Sequence, residues 1–315
     1  MRIVKLKIYF VPLLLIVFTI ETGFAGGTYD FLLNDVSARA SALGGNFVTM
    51  NDDPNVIFYN PAGLATMQSQ KVSFGFYKEL LDMNAGHASY AKTIPTFGTV
   101  GAGIVYFNYG DFQRMDENGQ NIGTFSAGDL ALTFGYGNEL ENGIQYGINA
   151  KAIFSSIAGY SSSAVAIDLG TRYVVIPQRL IIGASILNIG TQLDPYMNTR
   201  EDLPIDVRVG ASIYPEHLPA ALLISFNKLS EHQDNFFDRF SSFLVGIEFT
   251  ASESVMLRFG YNNESRRELK LGSSSGLAGF SLGAGFRTEF YTIDYAFNSL
   301  GNIGGLHRVS LGVSF

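Results

Sequence analysis

The chain has 315 residues, with 35 Gly, 26 Phe and 16 Tyr, neither Trp nor Cys, and charged residues at only 16 % of the total. Soluble domains average roughly a quarter charged residues and about 7 % Gly, so both departures point away from an ordinary cytosolic enzyme. With 47 % apolar residues the chain is too hydrophobic for disorder, and without Cys it has no disulfide framework, thiolate metal site, Cys nucleophile or acylated lipoprotein Cys.

Residues 1–25 read as an export signal to be removed. Arg2, Lys5 and Lys7 form a positive start, Tyr9 to Ile20 an apolar run, and Gly23-Phe24-Ala25 a small-x-small cleavage site. The run is interrupted by Pro12 and is too short for a spanning helix. Its removal leaves 18 basic against 27 acidic residues, an exported acidic chain that excludes nucleic acid as the expected partner.

The next segment, 26–70, lacks a strand pattern. Val36, Ala40 and Leu43 share one face of a short expected helix that stops at Gly44-Gly45, where positive φ is available. A turn cluster, Asn51-Asp52-Asp53-Pro54-Asn55, precedes the apolar Val56 to Tyr59 and then Asn60-Pro61-Ala62-Gly63-Leu64.

From residue 71 onward the pattern changes to alternation with period two. Val309, Leu311, Val313 and Phe315 fall on one face and Arg308, Ser310, Gly312 and Ser314 on the other. Tyr291, Ile293, Tyr295 and Phe297 oppose Thr292, Asp294 and Ala296, and Val255, Leu257, Phe259 and Tyr261 oppose Met256, Arg258 and Gly260. A soluble sandwich would show Lys and Glu on its polar face; Gly, Ser and a few charges suit a crowded barrel lumen, with the apolar face turned to lipid. Segments near 71–80, 84–92, 96–108, 124–137, 143–156, 162–175, 179–188, 204–214, 219–228, 241–250, 253–262, 276–287, 289–298 and 305–315 predict about 14 antiparallel strands, an all-β transmembrane outer-membrane barrel over 71–315. Such a barrel is too wide for its own side chains to fill, so 26–70 is expected to fold inside as a plug. Tyr77, Tyr106, Tyr136, Tyr261 and Tyr291 are available for the interfacial aromatic girdles. The terminal Phe315 fits the aromatic strand end read by barrel-assembly machinery.

Inward positions collect five Arg and four acids: Asp168, Arg172, Asp206, Arg208, Glu248, Arg258, Arg287, Asp294 and Arg308. Charges out of water must pair, so they are expected to form a ladder that holds the plug; the competing reading is a permeation path. Nothing else predicts a reactive site. His87, His217, His232 and His307 are far apart and in no metal motif, Asn51 to Asp53 lack the spaced ligands of a calcium loop, and Ser161-Ser162-Ser163 and Ser273-Ser274-Ser275 lack a hydrolase elbow. No catalytic residue, cofactor or metal is expected, and the chain is read as a non-enzyme.

Leu43-Gly44-Gly45, Asn51-Asp52-Asp53 and Asn60-Pro61-Ala62-Gly63-Leu64 together resemble the N-terminal hatch of the FadL superfamily of outer-membrane barrels. Ala166-Ile167-Asp168-Leu169-Gly170, Gly183 to Gly190 and Leu203-Pro204-Ile205 resemble the PorV/PorQ family of the type IX secretion system. Gly246-Ile247-Glu248-Phe249, Leu257 to Asn262, Arg266-Arg267-Glu268-Leu269 and Gly279 to Gly283 lie closer to its PorQ members. That resemblance implies a structural role for Asn60, Pro61, Ala62 and Gly63. It also implies a barrel that anchors a surface partner of the cargo attachment complex, PorZ-like and possibly PorU- or PorV-like, with Thr191 to Asp202 and Leu229 to Arg239 as the expected contact loops. The alternative is a FadL-like transporter of hydrophobic compounds. An apolar lumen pocket with a gap in the wall would favour transport; a charged lumen with protruding loops would favour anchoring.

Overall fold

In the computed structural model, which describes residues 27–78, 83–140, 143–197, 200–231, 236–269 and 276–315, the alternating segments pair side by side into a closed ring. Fourteen antiparallel strands close a barrel in chain order: β1 (Lys71–Lys78), β2 (Asn84–Ile94), β3 (Gly98–Met115), β4 (Asn121–Glu139), β5 (Ile144–Ile157), β6 (Tyr160–Ile176), β7 (Leu180–Asp194), β8 (Asp206–Ile213), β9 (Ala220–Phe226), β10 (Phe243–Thr250), β11 (Val255–Asn262), β12 (Phe280–Arg287), β13 (Tyr291–Ser299) and β14 (Gly305–Ser314). β14 returns to β1, with Lys71 opposite Ser314 and Lys78 opposite His307. Closure satisfies the ladder hydrogen bonds internally, the condition for crossing hydrocarbon with strands.

The apolar sets face outward. Phe74, Phe76, Phe134, Phe259, Leu282, Ile293, Val309 and Leu311 are exposed, whereas their strand neighbours Ser73, Thr133, Arg258, Ser281, Asp294 and Ser310 are buried. That is the inverse of a water-soluble barrel and the arrangement lipid demands. Residues 1–25, the Glu141-Asn142 turn, His232 and Ser273-Ser274-Ser275 lie outside the described residues.

Three sequence expectations need correction. β3 and β7 run well past the expected 96–108 and 179–188, because bulges, one between Asn108 and Asp111 with Gly110 at φ 81° and one at Leu187-Asn188 with Asn188 at φ 62°, reset the parity that the alternation follows. Tyr77 does not join an outer girdle: it shares the inward parity of Ser73 and Gly75, and the Arg308 guanidinium lies 4.4 Å from its ring centroid. Arg287 has inward parity too, but as the last residue of β12 it is exposed at the rim.

The strands are unequal. β3 to β7 have between 14 and 19 residues, whereas β8 to β12 have only 7 or 8. The longer connections, 195–205, 227–242 and 263–279, all lie at one end, the outer end of a barrel of this kind. The expected contact loops are largely folded onto that mouth. Leu203 and Leu229 are buried, Asn188 donates to the Pro204 carbonyl at 3.0 Å, and the Glu201 carboxylate accepts from the Thr28 N–H at 2.8 Å. Residues 198–199 and 232–235 of those loops lie outside the described residues.

Candidate functional site

Residues 27–70 thread the lumen from the outer mouth to the inner one. At the top the Tyr29 hydroxyl meets Ser162 at 2.6 Å and Phe31 packs edge-on against Phe107. At the bottom Lys71 pairs with Asp52 at 2.6 Å, and the chain enters β1. The helix α1 (Ala38–Ala42) is capped by Ser37, whose hydroxyl accepts from the Ala40 N–H, and ends at Gly44 and Gly45, both at positive φ. Val36, Ala40 and Leu43 are buried, in one core with Phe47, Ile57, Leu64 and the inward Val105, Phe107 and Ile153 of the wall.

Asn60 is the joint of this hatch. Its Oδ1 accepts from the Ala62 N–H at 3.1 Å, capping the tight turn Pro61–Thr66. Its Nδ2 donates to the Val48 carbonyl at 2.7 Å and to the Thr171 carbonyl on β6 at 3.0 Å. One side chain thus fastens two hatch segments to each other and to the wall. Pro61 supplies the fixed φ of the first turn position, and Gly63 leaves room for Val56.

The hatch backbone touches the wall backbone along a band of glycines. A Cβ on Gly137 would lie 2.8 Å from the Ala65 nitrogen, on Gly183 3.0 Å from the Val48 carbonyl, and on Gly246 3.1 Å from the Leu43 carbonyl. On Gly147, Gly170 and Gly260 it would overlap Pro61, Asn60 and Gly44 outright. The high Gly content therefore has a local cause: the wall gives up side chains where the plug presses against it.

Charge pairing then fixes orientation. Arg39 of α1 makes a two-point contact with Glu248 on β10, at 2.9 and 2.7 Å, and also reaches Asp53 at 3.1 Å. Glu248 accepts in turn from Arg258 on β11 at 2.7 Å, and Arg258 continues to Asp294 on β13 at 2.7 Å. A second cluster centres on Asp168, which is fully buried and accepts from Lys151 at 3.0 Å, from Asn149 at 2.8 Å and from the Asn188 N–H at 2.8 Å. Asp206 pairs with Arg208 at 2.5 Å, Arg172 donates to the Thr49 carbonyl at 3.0 Å, and Arg308 donates to Asn298 at 2.8 Å. Arg39, Asp53 and Lys151 escaped sequence reasoning. The signal for Arg39 was available as the single charge in an Ala/Ser helix whose other faces are small and apolar.

At the outer mouth, Lys228 joins Glu264 of α2 (Asn263–Glu268) at 2.6 Å and Glu231 at 3.7 Å. Burial pushes the carboxyls of Glu231 and Glu268 above their ordinary range, and the Glu264 charge pushes the same way. Among the described residues no group of His or acids has metal-ligand geometry. Asp52 and Asp53 are engaged by Lys71 and Arg39, His87 is packed against Phe58, and His307 meets the Tyr295 hydroxyl.

Four of the cavities among the described residues bear on the site. Two are polar, about 350 Å³ at the outer mouth beside Asp35, Arg208 and Lys228, and about 430 Å³ at the inner mouth beside Asp53, Lys71 and Asp294. A third, about 570 Å³, lies in the wall below the β3 bulge and is lined from both faces: Tyr106, Leu130 and Phe154 turn outward, Asp129, Ser155 and Ser162 inward. The fourth is mostly apolar, only about 20 Å³, and sits behind Phe31, Leu32 and Phe58 against Val105 and Ala131, with Thr133 and Lys151 also lining it.

No family model matches the chain, and none of the curated proteins does. Solved structures do. The toluene transporter TbuX of Ralstonia pickettii superposes with a TM-score of 0.62 at 12 % identity, covering 90 % of this chain and 100 % of that one. The toluene transporter TodX of P. putida gives 0.60 at 13 % identity, with 90 % and 99 % covered. A FadL homologue of Pseudomonas aeruginosa gives 0.57 at 10 % identity, with 89 % and 98 % covered. With its closed wall of fourteen strands and a hatch threaded through the lumen, the chain has the fold of the FadL-like outer-membrane barrels.

Proposed function

We propose that the protein is exported to the outer membrane and passes small hydrophobic molecules across it. The observation that carries this reading is a juxtaposition on one strip of the wall. The apolar pocket against Val105 and Ala131 lies directly below Phe107 and Asp129, and Asp129 lines the wall cavity that also opens on the lipid-facing Tyr106, Leu130 and Phe154. A molecule held behind Phe31 and Phe58 is thus one residue layer from the bilayer. At about 20 Å³ the pocket is closed, so passage requires Phe31 and Leu32 to swing away, and both belong to the uppermost turn of the hatch. The shared fold with toluene transporters supports an aromatic hydrocarbon as the first substrate to try.

The test is uptake of radiolabelled toluene by cells lacking the gene, complemented with the wild type or with Val105→Trp, which fills the pocket. Uptake should rise with the wild type and stay at the empty-vector level with Val105→Trp. Equal uptake with wild type and empty vector would refute transport.

A second reading rests on a different observation: the Arg39–Glu248 contact locks the hatch in the manner of a fixed plug, as an anchoring component requires. In it the barrel holds a PorZ-like surface protein of the type IX secretion system, with PorU- or PorV-like neighbours, after barrel-assembly machinery has read the exposed terminal Phe315. The uptake assay separates the two readings, since a barrel that only anchors leaves toluene uptake at the empty-vector level.

A further inference from the structure

Beyond the bulge at Gly110, the upper halves of β3 and β4 leave the barrel as a two-stranded arm. β2 pairs with β3 only up to Asn108, and β5 pairs with β4 only from Ala127. Residues 111–115 and 121–126 therefore pair with one another and, among the described residues, with no further strand, while the Gly110 N–H donates to Asn108 Oδ1 at 2.8 Å within the bulge. The arm stands clear of the bilayer. The outward apolar run ends at the level of Tyr106, Leu130 and Phe154, above which come Ser126, Ser156 and Ser161, and Met115 lies nine residues beyond Tyr106, about 30 Å of strand at 3.3 Å per residue.

An isolated two-stranded ribbon is marginal in water, and an open edge is a template for a further strand unless Lys, Pro or a bulge blocks it. Residues 109–126 contain neither Lys nor Pro. The irregularity between Arg114 and Met115 inserts its extra residue, Ile122, on β4, so the β3 edge stays regular from Asp111 to Met115. Apolar side chains stand exposed beside it: Phe112, stacked on Phe125 at 5.3 Å, and Met115, 51 % exposed.

We infer that the free edge of β3, residues 111–115, binds an extended, basic segment of a second extracellular polypeptide by strand addition. The unpaired main-chain donors and acceptors select a polypeptide, since neither acyl chains nor sugars supply matching groups at strand spacing. Asp111, Asp116 and Glu117 against the single Arg114 make the arm acidic, so the complementary segment is basic. A second copy of this chain in the same membrane does not fit. Its own arm is equally acidic and supplies no basic complement. The assignment holds whether or not the lumen conducts.

The test uses the full-length protein in its native outer membrane, with the photocrosslinking residue p-benzoylphenylalanine at Asp111, Gln113 or Met115 in separate strains. Strand addition expects the three crosslinks to step through one basic segment of one polypeptide, about two residues per step. Gln113→Pro and Arg114→Pro are then each combined with the probe at Asp111. One of these adjacent amides points to β4 and the other to the free edge, so at least one proline should cut the crosslink about tenfold while the barrel keeps its heat-modifiable migration in gels. Crosslinks to lipopolysaccharide or lipid alone, to a polypeptide without the stepped register, or insensitive to both prolines overturn the assignment, as does the absence of any crosslink.

Discussion

Replacing Glu248 by Gln tests whether charge pairing holds the hatch. Among the described residues this carboxylate takes hydrogen bonds from both Arg39 of the hatch and Arg258 of the wall, at 2.7–2.9 Å. Glutamine preserves size and one acceptor but removes the charge, leaving two guanidinium groups facing each other. Each retains one acid, Asp53 for Arg39 and Asp294 for Arg258, so neither is wholly orphaned. Breaking one side of a buried ion pair costs about 3–5 kcal/mol, which is roughly two to four orders of magnitude in the local opening equilibrium. The wall around it remains closed by its ladders, so the loss should fall on the hatch. Amide hydrogen exchange on protein in detergent micelles should show residues 36–48 exchanging faster by that factor, while the strand amides of β10 and β11 keep theirs. Arg39→Met combined with Glu248→Met should restore much of the protection, because an apolar pair of similar volume avoids the desolvation cost. Unchanged exchange of residues 36–48 in Glu248→Gln would show that packing and the Asn60 joint hold the hatch without help from charge.

Further outcomes follow from the same geometry. Gly147→Val and Gly170→Val push into Pro61 and Asn60 and should each destabilise the folded form by at least about 1–3 kcal/mol, read as a lower temperature for loss of the heat-modifiable band; Gly312→Ala, whose nearest new neighbour is 3.5 Å away, should not. Asp168→Ala strands the buried Lys151 and should cost about 3–5 kcal/mol in a urea-unfolding series, with Lys151→Met in the same chain recovering part of it. The Glu231 and Glu268 carboxyls, raised above 4.5 mainly by burial, bind protons in the folded mouth that an opened loop would release. Protection of amides 227–231, corrected for intrinsic rate, should therefore increase as the pH falls from about 7 to about 5, and a fall in protection over that interval would contradict the burial of these groups.

Much of the wall was legible because lipid outside and a packed lumen inside impose a strict period of two, and a one-residue slip would expose the wrong face. The expected 253–262 and 289–298 are the observed Val255–Asn262 and Tyr291–Ser299. Legibility stopped where that constraint stops. Above the membrane the β3–β4 arm has neither lipid nor plug to satisfy, so Asp111, Gln113 and Arg114 obey no alternation and the strand hides in what reads as a loop. Arg287 has the parity of a lumen residue and the position of a rim residue, and parity carries no information on height. The hatch was legible in its short helix, whose face of Val36, Ala40 and Leu43 is buried, and in its turns, Gly44-Gly45 and Asn60-Pro61. Its irregular path has no period, and the partner of Arg39 lies 209 positions away.

The glycine band has a consequence for exchange between barrels. Where two backbones meet with no side chain between them, hatch and wall are cut to each other: Pro61 and Leu43 take the room into which a Cβ on Gly147 or Gly246 would press. Neither is then an exchangeable part. Grafting the hatch of a related barrel into this wall, or this hatch into another, should lower the temperature at which the heat-modifiable band is lost, and a graft as stable as the parent would show that the fit is not specific.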